Sequence, residues 1–314
     1  MFNLIRNENM KIYRRVRTWI LLGGMVAIVL LTGILIKTHE RIDPNWKTTL
    51  TQQDVSMKQA LTDPRSHIPA AAKPGMQETI QANEYRISHN IPPGSHTVWD
   101  FTQQVISRIG VLVAVVVAII AGDSVASEFA GGTIKALLTR AVGRTQVLAS
   151  KYLAMLLFGV FSLLVTLAAS LLTGGILFGF HGYSAVYIYQ NAQHVISQIA
   201  MGHWAFIEYG FQAVSILMTV TIAFMISTIF RSSALAIAIS IVTLFVGNTL
   251  VFLLSQYGWV KYILFANTNL EQFFTGSPVV KGLTLPFSIT MLAIYFVVML
   301  ALSWQVFSRR DVAA

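Results

Sequence analysis

Residues 152–178 read YLAMLLFGVFSLLVTLAASLLTGGILF, 27 positions without a Lys, Arg, Asp or Glu. A helix needs about 20 mostly apolar residues to cross the hydrocarbon core of a bilayer. This run is long enough to cross, and too apolar to be stable in water. The charge-free stretch continues to residue 207, making 56 uncharged positions in all. Past residue 178 it holds Gln, Asn, Ser, His and Tyr, so 179–204 reads as an external loop rather than a second span.

The same test applied outward finds 18–36, 233–254 and 286–307, and 205–230 with Glu208 as its one charge. It also finds 102–121, where Arg108 alone interrupts two uncharged runs. The expected fold is therefore an all-α membrane protein with six transmembrane helices. Composition agrees. Of 314 residues, 55% are hydrophobic and 11% charged, with mean hydropathy +0.64. An average soluble domain carries about 25% charged residues. An ordinary soluble enzyme, a fibre and a disordered chain are excluded. A signal peptide is the rival reading of 18–36, but no small-residue cleavage site follows Ile36 and the basic leader is long. There is no cysteine, hence no disulfide, thiolate metal site or cysteine nucleophile.

Basic residues set orientation, because short loops rich in Lys and Arg stay inside. With residues 1–17 in the cytoplasm, 122–151, Arg231 and the tail 308–314 are also inside. Those segments carry 12 basic residues against four acids, Glu8, Asp123, Glu128 and Asp311. The outer segments, 37–101, 179–204 and 255–285, together with Arg108 and Glu208 near the outer ends of their spans, hold ten basic residues and nine acids. Both termini are expected to be cytoplasmic. The net charge of +9 is thus topological, and nucleic acid drops out as a partner. All seven histidines fall outside, with no i, i+4 pair of the kind that holds a metal on a helix, so no metal site is expected.

Residues 1–17, MFNLIRNENMKIYRRVR, wind as an amphipathic helix with Phe2, Ile5, Ile12, Tyr13 and Val16 on one face and Arg6, Arg14 and Arg17 on the other. It either lies on the inner leaflet or simply anchors the first span. The large first external loop, 37–101, holds seven of the 13 acids and six of the eight prolines, with short helices expected at 54–61 and 75–85. No catalytic constellation is legible in it.

The inner loop 122–151 reads GDSVASEFAGGTIKALLTRAVGRTQVLASK. Asp123 or Ser124 can cap a short helix carrying Glu128 and Phe129, and Gly131-Gly132 stops it. Thr133 can cap a second, 134–139, with Arg140 and Arg144 following. This is either a surface built to touch a cytoplasmic partner or a loop lying on the leaflet with Arg140, Arg144 and Lys151 at phosphates. Within the spans, Arg108 and Glu208 are either boundary residues, or an ion pair or polar substrate contact. Asn248, Gln212, Ser215 and Thr219 read as inter-helix hydrogen-bonding groups. No mid-membrane carboxylate relay is visible, which disfavours a secondary transporter or channel, the alternative reading. No H-E-x-x-H or G-x-S-x-G motif supports a membrane enzyme.

The run from Glu128 through Gly132-Thr133 and Leu137-Leu138 to Arg144 and Lys151 resembles the inner loop of type-2 ABC exporter permeases. So does the stretch Leu4-Ile5-Arg6-Asn7-Glu8 to Lys11 with Thr18-Trp19. The chain departs from the family at Ala141, where Pro is common, and at Gly143, where Ser is common. The resemblance implies a permease subunit in a bacterial plasma membrane, bathed in lipid and paired with a second copy or a sister permease. It implies a separate cytoplasmic ATPase subunit docking at Asp123, Glu128, Phe129, Gly131, Gly132, Thr133, Arg140 and Arg144. The chain has no phosphate-binding loop, so ATP and Mg would belong to that partner and this chain would be no enzyme by itself.

Overall fold

The computed structural model describes residues 1–39, 44–63, 65–66, 68–69, 72–93, 97–132, 143–190, 195–275 and 278–309. Helix α1 (Phe2–Tyr13) runs into α2 (Val16–His39) through a tight corner. Two side chains that begin α2 fasten that corner: Thr18 Oγ1 donates to Ile12 O at 2.6 Å, and Trp19 Nε1 donates to Tyr13 O at 2.7 Å. They satisfy carbonyls that the end of α1 leaves without an intrahelical partner.

Helices α3 (Trp46–Thr62) and α4 (Ala72–His89) form an antiparallel pair, longer at both ends than the sequence suggested. Asn83 Nδ2 donates to the buried Asp54 Oδ1 at 2.7 Å, and Lys58 and Glu84 pair on the surface. Helix α5 (Val98–Asp123) starts where the Thr97 hydroxyl accepts from the Asp100 amide. The short α6 (Ala126–Ala130) follows, then α7 (Arg144–Phe178). Residues 179–204 hold a hairpin rather than a plain loop. Strand β1 (Val186–Gln190) pairs antiparallel with β2 (Ile196–Ala200), Ile188 opposite Gln198. Two tyrosines of β1, Tyr187 and Tyr189, stack on Trp204 with ring centroids 4.9 and 5.1 Å away, which pins the hairpin to the next helix. Helices α8 (Met201–Ile229) and α9 (Ser233–Leu254), the short α10 (Leu264–Thr268) and α11 (Leu285–Arg309) complete the chain.

Among the described residues, six helices, α2, α5, α7, α8, α9 and α11, are long and apolar enough to cross a membrane. They match the six expected spans, extended by a few residues at most ends. Helices α5 and α8 are the most enclosed. On α7, Leu153, Leu157, Val160 and Leu164 are exposed while Ala154, Phe158 and Ser162 are fully buried. That 3–4 residue spacing gives one face to neighbouring helices and one to hydrocarbon. Gly159 lies where α7 meets α8: a Cβ there would come within 2.9 Å of Ile216 Cγ2, so glycine permits the close approach.

One end of the bundle gathers α1, α6 and the start of α7. The opposite end gathers the β hairpin and α4, joined where Gln198 Nε2 donates to the Tyr85 hydroxyl at 2.8 Å.

Candidate functional site

At the α1 end, four charged side chains from three separate segments meet. Lys151, on the first turns of α7, is 1% exposed in its side chain. Its Nζ lies 2.8 Å from Glu8 Oε2 and 3.0 Å from Glu128 Oε1. It also donates to the Ser124 carbonyl at 3.3 Å. Lys11 Nζ closes the ring, 2.9 Å from Glu8 Oε1 and 2.8 Å from Glu128 Oε1. Two cations against two carboxylates leave no net charge. Burial alone would lower the Lys11 ammonium pKa, but the bonds to Glu128 and Glu8 outweigh it and hold it above its usual value.

A second cluster lies beside the first. Asp123 closes α5 and accepts from Arg15, from Arg17 Nη2 at 2.5 Å and from the Ser233 hydroxyl. The α1–α2 corner, the end of α5 and the start of α9 are thereby tied at one carboxylate. The expectation that Asp123 or Ser124 caps the helix after α5 does not hold. The amides of Val125 and Ala126 both donate to Ser227 Oγ at 3.0 Å, from the fully buried end of α8. A buried helix start must find acceptors somewhere, and tertiary packing supplied one from 100 residues downstream while Asp123 was committed to arginines.

The expected docking residues therefore divide. Asp123 and Glu128 point inward and are consumed by intramolecular pairs. Phe129 is partly buried, edge-on to Phe307 at 6.5 Å. Gly131 and Gly132 are exposed and end α6, Gly132 at φ 67°, a left-handed turn that glycine adopts freely. Arg144 is exposed and donates to the Ser308 carbonyl at 3.0 Å. Thr133, Arg140 and the expected helix 134–139 lie outside the described residues.

In the half of the bundle toward the hairpin, a cavity of about 290 Å³ opens between α5, α8, α9 and the segment around Glu271. Glu208 lines it and accepts through Oε1 from Gln103 Nε2 and Trp204 Nε1, each at 2.9 Å. Arg108 is exposed, and among the described residues no ion pair joins it to Glu208, so the expected pair is not formed. The helical rotation that buries Ile109 and Gly110 turns Arg108 away. Glu271 lines the same cavity as Glu208. Burial raises the Glu271 pKa, and the charge of Glu78 raises it further. Gln212 and Asn248 also line the cavity. Gln212 Nε2 donates across to the Gly110 carbonyl at 3.0 Å, the inter-helix bond expected of it, and Asn248 bonds back to Leu244 within its own helix at 2.8 Å.

Sequence reasoning missed Glu8, Lys11, Lys151 and Glu271 as site members. A signal for Glu8 existed: it stands three residues after Ile5 and four before Ile12, on the apolar side of an amphipathic helix. Glu271 carried no such signal, because its loop is polar throughout.

These features define a helical, multi-pass membrane protein with six spans, its helices cross-linked at one end by buried ion pairs. The chain belongs to the family described as protein of unknown function DUF2705, which it matches over residues 76–313. That match takes in Asp123, Glu128, Lys151, Glu208 and Glu271, while Glu8, Lys11, Arg15 and Arg17 precede it. The chain is similar to the uncharacterized protein YhcI of Bacillus subtilis, 40% identical over 320 residues and all of both chains. It is also similar to the uncharacterized membrane protein YdbK of the same organism, 28% identical over 65% of this chain and 79% of that one.

Proposed function

We propose that this chain is the permease subunit of an ATP-driven exporter, with ATP and Mg bound by a separate ABC ATPase at its cytoplasmic end. The observation that carries this reading is the Glu128–Lys151 pair. These two residues begin and end the loop motif that resembles type-2 ABC permeases, and they are 3.0 Å apart and buried together with Glu8. A push on the short helix α6 is thereby delivered at once to α1 and α7, and through Asp123 to α2 and α9. The exposed surface left for a partner is the Gly131-Gly132 turn with Arg144. The charge asymmetry supports placing that end in the cytoplasm of a bacterial plasma membrane. A second permease copy or a sister permease would complete the pathway.

A secondary transporter or channel is the second reading, favoured by one observation: two carboxyls, Glu208 and Glu271, line one cavity within the bundle. One experiment separates them. The tagged chain, purified from native membranes in mild detergent, should bring down a polypeptide carrying a phosphate-binding loop. The reconstituted pair should hydrolyse ATP, and Arg144→Glu should weaken their association, because a rim charge acts on docking rate and register. The lone chain should neither hydrolyse ATP nor accumulate solute from a proton or sodium gradient. Ion-driven uptake by the lone chain would overturn the ATP-driven reading in favour of the second.

A further inference from the structure

The cavity between α5, α8 and α9 has a chemical character that the coupling network does not use. Its two titratable groups, Glu208 and Glu271, are both acidic, and no Lys, Arg or His is among the residues that line it. Glu208 is 4% exposed, in a part of the bundle where an uncompensated charge is expensive. Its Oε1 is fully engaged by Gln103 and Trp204, but Oε2 is buried and meets no hydrogen-bond donor among the described residues. A buried carboxylate oxygen without a donor is a site with a missing partner. Glu271 lines the same cavity, so the wall carries two carboxyl groups and no base to answer them.

The rest of the wall says what the partner looks like. Phe211 and Phe265 present aromatic rings, with Met218 and Leu244 beside them. Aromatic faces attract a positive charge and pack its apolar substituents, and methionine adapts to irregular shapes. A hydrated metal ion would gain nothing from such walls. Gln212, Ser215, Thr219 and Asn248 add neutral polar groups and no second charge. At about 290 Å³ the space lies at the small end of ligand pockets, enough for a single-ring molecule.

We propose that this cavity is a binding site for a small organic monocation, an ammonium group seated at the Glu208–Glu271 pair with its apolar body against Phe211 and Phe265. The site belongs to the bundle alone. It stands whether transport is driven by ATP or by an ion gradient, so it is tested on the chain without any ATPase.

The probe is benzyltrimethylammonium, titrated by calorimetry into the chain in nanodiscs, with uncharged neopentylbenzene as the equal-shaped control. Saturable binding of the cation is expected, weakened about tenfold or more by Glu208→Gln and by Glu271→Gln, since each removes part of a desolvated charge pair. Neopentylbenzene should not compete. A second measurement uses the cysteine-free background. In Ser215→Cys, with both glutamates intact, the cation should slow modification of the thiol by a methanethiosulfonate reagent and neopentylbenzene should not. This arm decides the matter if the glutamine variants do not fold. Equal protection by both compounds, unchanged affinity in both variants, competition by sodium at equal concentration, or no binding at millimolar cation would each overturn the proposal.

Discussion

Replacing Lys151 by Met should destabilise the protein by about 3 kcal/mol. The figure follows from where the charge lies. Lys151 is the most deeply buried member of the Glu8–Lys11–Glu128–Lys151 ring, 1% exposed against 11% for each carboxylate and 45% for Lys11. Removing one partner of a buried pair costs about 3–5 kcal/mol, because the other charge remains desolvated and unanswered. Here two carboxylates would remain, but Lys11 still reaches both and is itself close to water. That compensation, with the added burial of an apolar side chain, argues for the lower bound. About 3 kcal/mol is roughly a hundredfold in the unfolding equilibrium. The assay is unfolding in mixed micelles of rising SDS fraction, followed by tryptophan emission. The double variant Lys151→Met/Glu8→Gln removes one of the two stranded charges, so it should be more stable than Lys151→Met alone by about 1 kcal/mol or more. A single-variant cost under about 1 kcal/mol, with strict additivity in the double variant, would show that the ring does not hold the three segments together.

Two further outcomes follow from the structure. Single cysteines at Ser56 and Ala130, both exposed and at opposite ends of the bundle, should label from outside and inside the cell respectively with a membrane-impermeant maleimide; labelling of both from one side would refute the six-span orientation. The raised Glu271 pKa means the folded state holds its proton more tightly than the unfolded chain. Its contribution to stability is therefore fully present below the unfolded glutamate pKa and is lost as pH rises through the folded value. Glu271→Gln should flatten that decline in a pH series of SDS unfolding curves, and a variant that tracks the parent chain at every pH would contradict the burial of this carboxyl.

The six spans were legible because their signal is local. A run such as 152–178 satisfies the length and polarity demands of hydrocarbon by itself, whatever its neighbours do. The inter-helix role of Gln212 was legible for a related reason, since a polar side chain on a spanning helix needs a partner; Asn248, expected to do the same, found its partner in its own helix. The short helix after α5 and its glycine stop were also readable, from turn chemistry at Gly131-Gly132, although the cap expected for it at Asp123 or Ser124 was replaced by Ser227. The hairpin in 179–204 was not, although its alternating Val186, Ile188 and Tyr187, Tyr189 carried the period of a strand; the polar setting masked it.

The pairings were beyond reach. Glu8 and Lys151 are separated by 143 positions, and Glu128 looked like an exposed docking acid because its own helix is short and surrounded by small polar residues. Nothing within a window of sequence says which of 22 basic residues will meet which of 13 acids. The sequence alone determined that this chain is a membrane protein and which stretches are long and apolar enough to cross, because apolar transfer is a sum over local residues. Only the tertiary structure decided that Asp123 and Glu128 turn inward to fasten α1, α7 and α9, that Arg108 leaves Glu208, and that Glu271 lines the same cavity as Glu208. Those outcomes depend on how helices rotate about their axes and on which desolvated charge finds a counterpart, and both are properties of the packed assembly of spans.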